Sequence, residues 1–141
     1  MNIDTVKLEL LRSLPVGQCM WVRLGGTSMW PLLLAGDQVL VRRSDGSALR
    51  RGDMAAIVLA NGVAAAHLVM ETGPIRTAGT AGLDDGPIQA VIGRIEAVKR
   101  KGLRVPVTQA HQVLQFWPQF FVVARRVPGL PRLGRLLRRV L

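Results

Sequence analysis

The chain has 141 residues, the size of one ordinary domain, and 49% of them are apolar, which excludes a disordered chain. The single cysteine, Cys19, excludes an internal disulfide framework and a multi-cysteine zinc site, and two histidines are too few for a His-rich metal site, so no metal or other cofactor is expected. Nineteen Lys and Arg against nine Asp and Glu give a formal charge of +10, which points to an acidic partner.

In chain order, Ile3, Val6, Leu10, Leu11 and Leu14 fall near helical spacing and predict a short helix over 2–14, ended by Pro15-Val16-Gly17. Residues 18–24 predict a strand, on which Cys19 reads as a small buried hydrophobe. Gly25-Gly26 breaks it, and Ser28-Met29-Trp30-Pro31 opens a turn or short helical segment. Gln38 to Arg43 is the next strand, followed by the polar turn Ser44-Asp45-Gly46-Ser47. Met54 to Leu59 and Val63 to Met70 read as strands joined through Asn61-Gly62, a two-residue hairpin signal. Further short strands are expected at Ile75–Thr77 and Ile88–Lys99. Short, frequent strands joined by Gly, Asn and Asp make a mainly β body.

From Pro106 the character changes. Gln109 to Val123 is apolar, with two helical stretches interrupted by Pro118. After Pro128-Gly129-Leu130-Pro131, the residues Leu133, Leu136, Leu137 and Val140 alternate with Arg132, Arg135, Arg138 and Arg139, the pattern of a basic amphipathic helix. Residues 1–103 hold twelve Lys/Arg and all nine acids, whereas 104–141 hold seven Arg and no acid. The expected organisation is therefore a β domain over 1–103 and a helical, Arg-rich extension over 104–141, with an anionic membrane surface as the extension's partner. Nucleic acid is disfavoured as a partner: the body carries no recognisable motif for it, and 4% aromatics leave few stacking platforms. No apolar stretch approaches the roughly 20 residues of a membrane span, and the start Met1-Asn2-Ile3-Asp4 lacks the features of a signal peptide. The expected location is cytoplasmic and peripheral at the membrane.

The stretch Gly26-Thr27-Ser28-Met29-Trp30-Pro31 carries the first chemical signal. A serine in a tight turn can expose its hydroxyl and its own N–H together, giving a nucleophile and one oxyanion donor. A serine in a Gly-rich turn also serves purely structural ends. His67 is the sole histidine of the predicted body and lies on a strand among small residues, Ala64-Ala65-Ala66, that leave room beside an imidazole. Taken alone, a single strand histidine is more often structural than catalytic. Thr77-Ala78-Gly79-Thr80-Ala81-Gly82-Leu83-Asp84-Asp85 is a glycine-rich loop ending in two carboxylates, for which a surface turn is the plain reading. Trp21 and Trp117 read as packing residues, and Trp30 can wall a cleft beside Ser28.

Taken in order, these segments resemble the signal peptidase I superfamily, which includes the LexA-like self-cleaving repressor domains. Ser28-Met29-x-Pro31 with Gly36-Asp37 resembles the nucleophile box, Arg51-Gly52-Asp53 before a strand the second box, and His67-Leu68-Val69 the general base and its strand. Thr77-x-Gly79 through Asp84-Asp85 resembles the late-aspartate loop, and Ile92-Gly93-Arg94-Ile95 the closing strand. The resemblance implies the family's β-fold and a serine endopeptidase of the histidine type. Ser28 would be the nucleophile, His67 the base and Asp84 or Asp85 its partner; Met29, Trp30 and Pro31 would meet the substrate. An imidazole titrating near 6.5 can deprotonate serine at neutral pH without the strong desolvation a lysine requires. The implied substrate is a peptide or precursor protein, and the implied process is peptide maturation by a compact, stand-alone, membrane-associated enzyme. Departures are the absence of the family's usual Gly-Asp-Asn, replaced by Gly79-Thr80-Ala81, and Gly26 at a position where bacterial members carry a hydroxyl. A catalytically inactive β module that binds peptide or membrane is the alternative they leave open.

Overall fold

The computed structural model describes residues 2–3, 5–30, 32–105 and 107. Its elements are β1 (Asn2–Ile3), α1 (Thr5–Ser13), β2 (Cys19–Gly25), β3 (Gln38–Arg43), β4 (Met54–Leu59), β5 (Ala64–Thr72), β6 (Ile75–Ala78), β7 (Ile88–Arg100) and β8 (Leu103–Val105). The protein is mainly β. All strands belong to one sheet in the order β1-β2-β3-β7-β4-β5-β6, with β8 on β7 and every neighbour antiparallel. β1 also pairs with β5, through Asn2 opposite Ala65, so strands β1, β2, β3, β7, β4 and β5 close into a ring.

Alternation along the strands sorts the side chains. On β2, Val22 and Leu24 are buried while Cys19 and Arg23 are exposed. β4 is buried on both faces: Met54, Ala56 and Val58 join the main core with Val39, Val41, Leu68, Ile92 and Ile95, whereas Ala55 and Ile57 join a smaller cluster with Leu49 and Val69. Leu8 and Leu11 of α1 pack on the main core. The core demands one very close approach. A Cβ at Gly93 would lie 1.9 Å from the Arg42 carbonyl oxygen, so only glycine lets β7 run against β3 there.

Several sequence expectations change. The helix starts at Thr5 rather than at residue 2, because Asn2 and Ile3 pair with Gly25 and Leu24 of β2. Cys19 is exposed, not buried, because it shares the outward parity of Arg23. The β4–β5 connection is a three-residue loop, Ala60-Asn61-Gly62, with Leu59 and Val63 hydrogen-bonded across it at 2.9 Å and Gly62 at φ +83°. That is a hairpin whose third loop residue takes the left-handed conformation, which Gly62 supplies. β8 was not expected from the sequence at all. The helices read over 109–141 lie outside the described residues. Among the described residues no helix is long and apolar enough to cross a membrane.

Two similar turns launch β3 and β4. Leu34-Ala35-Gly36-Asp37 and Arg50-Arg51-Gly52-Asp53 each place glycine at φ near +90° and return the aspartate N–H to the first carbonyl at 3.0 Å. In each, the buried aspartate carboxylate also accepts from the first N–H, at 2.8 Å for Asp37 and 2.9 Å for Asp53. The repeated Gly-Asp pair in the sequence is therefore turn chemistry: glycine supplies the positive φ and the carboxylate satisfies a buried donor.

Candidate active site

Ser28 stands at the crest of the loop that leaves β2. Gly26 at φ +81° turns the chain sharply out of the strand. Met29 and Leu33, both fully buried, then pin the loop into the main core on one side while Ser28 stays exposed on the other. The Trp30 N–H donates to the Thr27 carbonyl at 3.1 Å and the Leu33 N–H to the Met29 carbonyl at 2.9 Å, so the nucleophile candidate sits on a rigid, hydrogen-bonded turn.

The loop after β6 clamps that turn. The Thr80 N–H donates to the Ser28 carbonyl at 2.9 Å, and the Thr80 hydroxyl lies 2.6 Å from the Trp30 carbonyl and 3.1 Å from that of Ser28. A Cβ at Gly79 would lie 2.6 Å from the Ser28 carbonyl oxygen, so the two backbones touch only because residue 79 is glycine.

His67 lies on β5 directly opposite Ala55 of β4, and the short alanine side chain leaves space for the ring. Its Nε2 is 2.9 Å from Ser28 Oγ. Its Nδ1 is 2.6 Å from Asp85 Oδ2, which also accepts the Thr77 hydroxyl at 2.8 Å. An ionised Asp85 accepts only, so Nδ1 carries the proton and donates it to Asp85, leaving Nε2 to accept from the Ser28 hydroxyl. Burial pushes the His67 pKa below its usual 6.5, outweighing the opposite pull of the Asp85 carboxylate. The imidazole is thus neutral, and able to take a proton, at neutral pH.

Asp85 reaches this position through backbone pairing. Asp84 bridges to Ala78, and the Asp85 N–H donates to the Thr77 carbonyl at 2.9 Å, so the loop returns antiparallel along β6. Adjacent residues of an extended segment point to opposite sides. Asp85 turns toward His67, and Asp84 turns outward to Arg76 at 3.3 Å.

The structure thus brings together Ser28, His67 and Asp85, and leaves Asp84 outside. Met29, expected at the substrate, is fully buried and anchors the loop. Pro31 lies outside the described residues. Trp30 lines a cavity of about 510 Å³ with Thr27, beside the Ser28 turn; Ser28, His67 and Asp85 do not line it. Thr80 carries no functional signal in the sequence; its place in the site comes from its contacts with the Ser28 and Trp30 carbonyls. Among the described residues no group of three or more His, Cys, Asp or Glu is placed to hold a metal ion.

A scan against protein-family models and a search of curated proteins find no match to this chain.

Proposed function

We propose that the protein is a serine endopeptidase in which Ser28 attacks, His67 acts as general base and then general acid, and Asp85 orients the imidazole. The observation that carries this is the unbroken hydrogen-bonded series Ser28–His67–Asp85, with contacts of 2.9 and 2.6 Å, ending in an exposed hydroxyl. The serine end is exposed, His67 is buried, and the Asp85 side chain is largely covered.

In the mechanism this supports, the Ser28 hydroxyl adds to the carbonyl carbon of a peptide bond as its proton passes to His67 Nε2. The imidazolium is stabilised by Asp85 and returns that proton to the departing amine. Water, deprotonated by His67 in the same way, then releases the acyl group and restores Ser28. The Thr77 hydroxyl fixes the Asp85 carboxylate, and Thr80 with Gly79 fixes the turn that carries Ser28. The order of motifs resembling the signal peptidase I superfamily supports a histidine-type member acting on peptides or precursor proteins.

The test is labelling by a fluorophosphonate probe, with the modified residue located by mass spectrometry. Labelling at Ser28, lost in His67→Ala, is the expected result. An unreactive Ser28 in folded protein would favour the non-catalytic binding module instead.

A further inference from the structure

The pairing register aligns three basic side chains and one glutamine across four strands. Arg23 of β2 lies opposite Gln38 of β3, Gln38 opposite Lys99 of β7, and Lys99 opposite Arg104 of β8. Directly opposed residues project from the same face of a sheet, here the face turned away from the buried Val22, Val39 and Val98. At the usual strand spacing the row spans about 14 Å. Lys101, in the β7–β8 turn, lines the same cavity as Arg23 and Lys99.

Three observations make this row more than a solvated surface. First, Arg23, Lys99 and Lys101 line the 510 Å³ cavity whose wall includes Thr27 and Trp30, the residues on either side of the Ser28–Met29 step. Second, Asp37, the sole acid lining that cavity, is already held by Arg100 through contacts of 3.1 and 2.9 Å. Among the described residues no ion pair involves Arg23, Lys99, Lys101 or Arg104. Third, Lys99 and Arg104 are directly opposed like charges, an arrangement that costs stability until an anion joins them. Lys99 Nζ lies over the Trp21 ring, 4.1 Å from its centre, and the Arg104 guanidinium lies 5.9 Å from the same centre, so both cations gather at one aromatic ring.

Resting on the peptidase reading above, we infer that this cavity and its cationic row bind carboxylate side chains of the peptide substrate, so that the enzyme prefers an acidic segment close to the bond it cleaves. Carboxylates supply the charge, and the apolar stems that carry them match the Leu34 and Trp30 walls. A concave site abutting the nucleophile turn suits a flexible chain that must also reach Ser28, rather than the plane of a lipid surface.

The experiment uses full-length Ser28→Ala protein and two fluorescent peptides, one alternating Glu and Ala, the other alternating Gln and Ala. Binding is read by anisotropy at low and high salt. The Glu peptide should bind about tenfold tighter at low salt, the sum of a few exposed ion pairs, and lose that advantage as salt screens them. Charge reversal at the exposed Arg23 and Lys101 (Arg23→Glu with Lys101→Glu) should abolish the preference, and the milder Arg23→Gln with Lys101→Gln should reduce it. Circular dichroism identifies any variant that fails to fold. Equal binding of the two peptides, or a preference that survives both folded double variants, overturns the inference. So does loss of binding to phosphatidylglycerol vesicles in the double variants with the peptide preference unchanged, which assigns the row to lipid. Fluorophosphonate labelling of wild-type Ser28 separates the two readings. Labelling without a charge preference removes the acidic site alone, and a charge preference without labelling removes the peptidase reading and leaves an acidic-peptide site.

Discussion

At the level of single residues, the proposed peptidase turns on whether Asp84 or Asp85 holds His67. The sequence offered both, because neighbouring carboxylates in a Gly-rich loop carry no sign of which will face inward. The Asp84 bridge to Ala78 settles the parity, sending Asp85 to His67 and Asp84 to Arg76. Asp85→Asn should therefore lower kcat/KM for peptide cleavage by on the order of 10⁴-fold, as losing the carboxylate that fixes the histidine tautomer does in other triads. Asp84→Asn should change it less than about fivefold, since an exposed ion pair contributes at most about 1 kcal/mol. The pH dependence follows from the lowered His67 pKa. Activity should rise with pH through an inflexion below 6.5, where the imidazole becomes neutral. The same shift affects stability: between the folded and unfolded values the unfolded chain binds more protons, so the His67 contribution is complete above 6.5 and is lost as pH falls below it. A cleavage profile with its inflexion above 6.5 would contradict this account.

At the level of elements, the site is the meeting of two loops on a rigid sheet, and their contact is backbone to backbone. Gly79→Ala must push Cβ into the Ser28 carbonyl, displacing the turn or the loop. A displacement near 1 Å should cost roughly 100-fold in kcat, with peptide binding little changed. Thr80→Val, which keeps the N–H bond to Ser28 and loses the hydroxyl at Trp30, should cost less, so the order Gly79→Ala worse than Thr80→Val checks the clamp. Elements with a strong period were legible in the sequence. The alternating β3 and the apolar β4 run over the expected residues, Gln38–Arg43 and Met54–Leu59. β1 and β8, with two and three residues, are too short to carry any period; β1 pairs with the distant Gly25 and Leu24, whereas β8 turns straight back on β7. The Ser28 and His67 candidates were legible through motif order. Thr80 was not, because its task is set by a contact 52 positions away in sequence.

On the scale of the whole molecule, residues 1–105 carry thirteen Lys and Arg, Arg104 of β8 among them, against nine acids, whereas 106–141 carry six Arg and no acid. Deleting 128–141 should abolish co-sedimentation with anionic vesicles and leave Ser28 labelling intact, each basic residue near such a surface contributing on the order of 1 kcal/mol. Equal sedimentation of the shortened and full chains would remove the last segment as the anchor. The ring of strands has a consequence of a different kind. Its seam is β1, where Asn2 and Ile3 meet Gly25 and Leu24 on one side and Asn2 meets Ala65 on the other. So few ladder bonds make this the easiest part of the sheet to open, and amides across it should exchange with deuterium well before those of β4. Each opening would bare two strand edges at once, that of β2, which leads to Ser28, and that of β5, which carries His67 two residues beyond Ala65.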